Sequence, residues 1–138
     1  MFNENDIVNK LKEIIEGISG VAVVYAGVPQ TIEKYSAVMI FPSSWTDSNA
    51  DLRDTSIDME FKIVVYVQTG SSPINAQQQL RDLVRLIRIE LGKQDNIELN
   101  GLVDYSKLTE GEYIFTEAES GLYSCSITYK AIKRFNRS

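Results

Sequence analysis

One stretch constrains this chain more than any other: TSIDMEFKIVVYVQTG, residues 55–70. From Ile57 to Val67 every odd position is apolar (Ile57, Met59, Phe61, Ile63, Val65, Val67), with Asp58, Glu60, Lys62, Val64 and Tyr66 between them. Period-two alternation makes a strand with one apolar face. Here it continues over eleven residues, where a strand usually runs about 5–6. A strand from Thr55 to Thr69 rises ~3.3 Å per residue and so spans on the order of 50 Å. A compact chain of 138 residues has a radius of gyration of about 14 Å, hence a diameter of roughly 37 Å. The strand therefore outgrows the globule. Phe61, Ile63 and Val65 are expected in the core. Ile57 and Met59 are expected at or past its edge, on the arm of a hairpin or an extended sheet edge that reaches a neighbouring subunit.

The remaining elements follow from period and punctuation. Ile7, Val8, Leu11, Ile14, Ile15 and Ile18 keep the 3.6-residue period of a helix over 6–16, with Asn5 or Asp6 as cap and Gly17 or Gly20 as its end. VAVVY (21–25) and AVMIF (37–41) read as short strands, the second stopped by Pro42. A polar loop, PSSWTDSNADLRD, then leads into the long strand. Ser72-Pro73 is a helix start, and Leu80, Leu83, Val84, Ile87 and Leu91 form the apolar stripe of a helix that Gly92 ends. Asn100-Gly101 is a hairpin-type turn signal, with room for a further short strand near 97–105. EYIFTEAE (112–119) and LYSCSITYKAIK (122–133) complete the set, joined across Ser120-Gly121. The order α-β-β-β-α-β-β predicts a single α+β domain over 1–138: an antiparallel or mixed sheet with two helices on one face.

The residue inventory excludes much chemistry. There is no histidine, which removes the commonest general base and most zinc sites. The lone Cys125 falls in the apolar phase of a strand and reads as core packing, not as a nucleophile. No phosphate-binding glycine motif occurs. In DSNADLRDTSID, Asp47, Asn49 and Asp51 match the first ligands of a calcium loop, but Leu52 stands where that loop needs glycine and Asp58 where it needs glutamate. The reading is a protein that is not an enzyme and carries no cofactor or metal. The longest apolar run, VAVVYAGV, is far short of the ~20 residues of a membrane helix, and the polar, acidic N-terminus lacks the apolar stretch of a secretory signal.

Charge is uneven. Residues 1–60 hold 4 Lys/Arg against 10 Asp/Glu, and residues 61–138 hold 10 against 9. The net of −5 disfavours general nucleic-acid binding. Arg81, Arg85 and Arg88 cluster on one flank of the second helix. They suit either salt bridges along that flank or contact with acidic surface on another subunit, such as the loop 47–54. Trp45, in a polar loop, is either folded back on its core or an interface anchor. The candidate subunit-interface residues are thus Trp45, Ile57, Met59, Arg81, Arg85 and Arg88.

VAVVYAGVPQTIEKYSAVMIFPSS, then an acidic loop, a long alternating strand and SSPINAQQQLRDLVRLIRIELG, resembles the tail terminator (tail completion) proteins of long-tailed bacteriophages. The likeness covers nearly the whole chain and rests on element order, length, the turn at Val24, Tyr25, Val28 and Pro29, and the strand-to-helix join. Where the family shows an aromatic-Pro pair before the second strand, this chain has KYSAVMIF. The resemblance implies a virion protein without enzymatic activity, assembled in the bacterial host cytoplasm. It implies a hexameric ring that caps the tail tube, contacts the tail tube protein, and presents the head-tail joining surface to a head-completion or connector protein. DNA would pass through its pore unbound. A head-side connector of the phage neck, or a small cytosolic α+β ligand-binding subunit, are the alternatives.

Overall fold

A computed structural model describes residues 3–49, 54–115 and 121–136. The chain runs α1 (Glu4–Glu16), β1 (Val23–Ala26), β2 (Ala37–Asn49), β3 (Asp54–Gln68), α2 (Pro73–Leu91), α3 (Gln94–Ile97), β4 (Tyr105–Ile114) and β5 (Leu122–Asn136). It is an α+β fold built on a five-stranded mixed sheet of order β1-β2-β3-β5-β4. Only β1 and β2 pair in parallel; the other three pairings are antiparallel.

Local chemistry sets the helix ends. The Asn3 side chain accepts the Asn5 N–H at 2.8 Å, so α1 starts two residues before the expected position, with Glu4 and Asp6 in its positively polarised first turn. Gly17 closes it, donating to Ile14 and Ile15. α2 starts as expected, with Ser72 accepting from the Asn75 N–H and Pro73 in the first turn, and ends at Gly92. The parallel β1–β2 pair is joined by residues 27–36, which fold back past Tyr25, whose hydroxyl accepts the Glu33 N–H at 3.1 Å.

Both main helices lie on one face of the sheet. α1 packs over β1 and β2, and α2 over β3, β5 and β4. Beneath them Met59, Phe61, Ile63, Val65 and Val67 of β3 are buried beside Tyr123, Cys125, Ile127, Tyr129 and Ala131 of β5. Phe61 meets Tyr129 edge to face, with ring centroids 6.1 Å apart. The opposite face of β3 carries Asp58, Glu60, Lys62, Val64 and Tyr66, exposed or half-buried.

The length of β3 is resolved by its neighbours. β3 pairs with β5 from Asp54↔Asn136 to Gln68↔Leu122, and with β2 from Asn49↔Thr55 to Ala37↔Tyr66. Three strands run on together, so the β2–β3 hairpin is a sheet extension and not a lone arm.

Four expectations are corrected. Residues 42–49 continue β2 and are not loop: β1 ends at Ala26, opposite Ile40, so beyond it β2 has no strand on its outer side and tolerates Pro42 with a bulge between Pro42 and Ser44. β4 occupies 105–114, not 112–119; as an outer strand with most of its side chains exposed, and with a bulge between Leu108 and Glu110, it shows no clean alternation. The 97–105 segment holds the end of α3 and a left-handed turn (Leu99 φ 48°, Asn100 φ 58°, Gly101 φ 90°), not a strand. Met59 is 2% exposed, inside the core and not past its edge. Residues 50–53, within the expected acidic loop and calcium-like segment, and 116–120, which end the expected strand 112–119 and precede Gly121, lie outside the described residues.

Phe61→Ala is expected to cost roughly 3–5 kcal/mol of folding stability, by emptying a fully buried aromatic site. Denaturant unfolding measures it; a loss below about 1 kcal/mol would contradict this packing.

Candidate functional site

Two surfaces on opposite lateral edges of the sheet gather the exposed chemistry. The first lies where β2 is the outer strand. Trp45 and Asp47 stand opposite Met59 and Ile57 of β3, on the helix-bearing side. The N-terminus of α1 arrives there, so Trp45, Asp47 and Ile57 share a shallow depression with Asn3, Glu4 and Asn5. Trp45 is 61% exposed, and Ile57 is half-buried against the core. Glu4 and Asp47 make this surface acidic. Lys133, the cross-strand partner of Ile57, sits one strand further in.

The second surface lies at the β4 edge. α2 spends its apolar stripe on β3 and β5, and small or polar residues of β4 (Ser106, Thr109, Gly111) leave a groove between helix and strand. Arg88 and Val84 line its deeper part with Tyr113, Leu108 and Cys125. Arg85, Arg88 and Ile89 line the remainder with Tyr105 and Lys107. Arg81 acts on the same place from a distance: the Tyr113 phenol is pushed above its usual value by burial and by Cys125, while Arg88 and Arg81 pull it the other way. All three guanidinium-bearing residues are exposed. The ion pairs among the described residues are Lys10–Glu13 and Lys93–Glu90, so none engages them.

The structure thus groups Trp45 with Ile57 at one edge, and Arg81, Arg85 and Arg88 at the other. Met59 is buried beneath and belongs to neither surface. Sequence reasoning missed Glu4, Ile89, Tyr105 and Tyr113. Tyr105 and Tyr113 stand on either side of the β4 bulge, which shifts the alternation midway, so that Tyr113 stands opposite the core-facing Cys125 and Tyr105 opposite Ile132. Ile89 was the available signal, an apolar residue off the stripe of α2 and 53% exposed.

The antiparallel register brings part of the acidic half of the sequence beside cations of β5. Glu60 lies opposite Lys130, and Ser56 opposite Arg134. Glu60 also accepts from the Ser43 hydroxyl at 3.1 Å, across the β2 bulge. Asp104 accepts the Arg134 N–H at 2.6 Å and donates its own N–H to Ile132, fixing the end of β5.

Cys125 is buried on the core face of β5. Burial pushes its thiol up to about 11, against a small opposing hydrogen bond from the Glu112 backbone, so at pH 7 it is a neutral thiol and a poor nucleophile. No group of three His, Cys, Asp or Glu able to hold a metal ion occurs among the described residues. No helix among them is long and apolar enough to cross a membrane. A scan against protein-family models and a search of the curated proteins find no match to this chain.

Burial also pushes the Tyr129 phenol up to about 12, partly offset by Ser106. Both groups hold their protons more tightly folded than unfolded, so their contribution is fully present below the unfolded thiol value of 9.0 and is lost as pH rises toward about 12. Stability is expected to fall above pH ~9. In Cys125→Ala the onset moves toward the phenol's ordinary value of 10.0. Urea unfolding across this range checks it; an unchanged onset in the variant would refute the assignment to Cys125.

Proposed function

We propose that this chain is a structural virion protein that assembles as a ring on the finished tail tube of a long-tailed bacteriophage, stops its growth, and presents the surface that joins the head. One observation carries the assembly part of this reading. Among the described residues the sheet is unpaired along the outer side of β1, the outer half of β2 and the whole of β4, and exposed large apolar side chains flank the last two. Surfaces of that kind are hazards on an isolated subunit and are used up when a ring closes. The resemblance in element order supplies the phage-tail part, including the hexamer, the tail tube protein and the head-completion partner. The neutral Cys125 thiol and the absence of histidine favour a role without catalysis. An overall charge of −5 suits a pore through which DNA slides, since like charge repels phosphate.

Mass in solution over a concentration series, with negative-stain images at the highest concentration, tests the reading. Rings with a central pore are expected; a monomer throughout would overturn it. Ile57→Asp is expected to leave the subunit folded, because Ile57 is only half-buried, and to weaken assembly by placing a further charge in the Trp45 depression. A melting temperature lowered as far as in Phe61→Ala, with assembly unchanged, would show that Ile57 serves the subunit's core alone.

A further inference from the structure

We propose that the two lateral surfaces are the two halves of one head-to-tail contact: the acidic Trp45 depression of one copy seats on the arginine groove of the next. This rests on the ring reading above and names the residues that make the contact. Three observations carry it.

The first is charge. Glu4 and Asp47 line the depression with Trp45, Arg85, Arg88 and Lys107 line the groove, and Arg81 acts electrostatically on Tyr113 in it. The three arginines have no ionic partner among the described residues of their own chain. Asp58 and Glu60 of β3 alternate with the buried Met59 and Phe61 and so stand on the face away from the helices, which leaves Glu4 and Asp47 as the acidic residues beside Trp45 on the helix side.

The second is apolar area. Seven large hydrophobic residues are exposed among the described residues, and Trp45, Ile89, Tyr105 and Tyr113 are four of them. One sits on the acidic surface and three on the basic one. Aromatic residues and arginine are the usual anchors of protein interfaces, and an indole presented to guanidinium groups gains cation–π attraction beyond its burial.

The third is placement. The surfaces differ from one another and occupy opposite edges of one sheet. A contact between unlike surfaces is heterologous: it repeats from copy to copy and closes into a ring when its rotation allows. A self-complementary dimer would instead bring like charges together.

Charge reversal in pairs tests the inference. Two double variants are made, Glu4→Lys with Asp47→Lys, and Arg85→Glu with Arg88→Glu, together with the combined four-site variant. Asp47, Arg85 and Arg88 are exposed and Glu4 is half-buried, and unchanged melting temperatures confirm that folding is intact. Light scattering over concentration at low and at physiological salt reads assembly. Each double variant is expected to weaken assembly about tenfold or more, and the combined variant to restore most of that loss. Assembly of the native chain is expected to weaken with salt. Trp45→Ala is expected to weaken it without changing its salt dependence. If the native chain assembles and the double variants assemble equally well, this contact is wrong while the ring reading stands. If both weaken assembly but the combination restores nothing, the two surfaces do not face each other. If the native chain stays monomeric at every concentration, both readings fall. Capture of poly-glutamate by the native chain, lost in Arg85→Glu with Arg88→Glu while assembly is unaffected, would assign the groove to a different acidic partner.

Discussion

Everything in this molecule is referred to the helix-facing side of β3. Met59, Phe61, Ile63, Val65 and Val67 present a continuous apolar row, and each is essentially removed from water. Burying five such side chains contributes on the order of 1.5–3 kcal/mol apiece against the entropy of ordering the chain. That row needs cover, which α2 and its Leu80–Ile87 stripe supply. It also needs neighbours on both edges, because a central strand leaves no backbone group unpaired. β5 provides the longer partner and β2 the other. β1 and α1 then cover what β2 exposes at its inner end, and β4 closes the far side. A slip of one residue in β3 would turn the apolar row outward and set Asp58, Glu60 and Lys62 against the helices, so the register is strongly specified.

The same register decides the electrostatics. Read along the chain, acid precedes base, and the two halves look like separate surfaces. The antiparallel pairing of β3 with β5 folds one onto the other, so Glu60 meets Lys130 and the β5 backbone is tied to Asp104. A surface charge neighbour such as Glu60–Lys130 contributes little to stability, about 0–1 kcal/mol. The α2 arginines stand apart from this pairing, on the helix side, with no ion pair among the described residues.

The parts legible in sequence were those governed by one strong period. The β3 alternation, the α2 stripe and its Ser72-Pro73 start, and the apolar phase of Cys125 and Tyr129 all stand where the pattern put them. What escaped was set by tertiary context. Pro42 reads as a strand terminator, yet it costs little where β2 has lost its outer neighbour, a fact that depends on how short β1 is. β4 escaped because an outer strand with mostly exposed side chains has no alternation to display, and its bulge shifts the phase midway. Met59 was placed outside the core by a length argument that compared one strand with a sphere; three strands extended together carry the core further along the sheet. Of the two lateral surfaces, Trp45 with Ile57 and the three arginines were visible as fragments. Their separation onto opposite edges was not, since strand order is not written in any local pattern.

The construction of the two edges bears on how a second chain could meet them. An uncovered strand edge ordinarily invites backbone pairing with another strand. Here both edges carry irregularities that oppose it. Pro42 removes a donor from β2, and the bulge beside it turns the Ser43 hydroxyl back to Glu60 within the chain. β4 has its own bulge at Thr109, with Lys107, Glu110 and Glu112 around it. Bulges and charged side chains on outer strands are the usual devices that prevent strand addition. With the backbone blunted, recognition at these edges passes to side chains, and the side chains that stand out are an indole among carboxylates on one edge and tyrosines among guanidinium groups on the other. A contact of that kind is reversible, salt-sensitive and fixed in register by a few anchors. Under the ring reading proposed above, those properties suit a chain that stays separate at low concentration and joins its copies when many are brought to the same place.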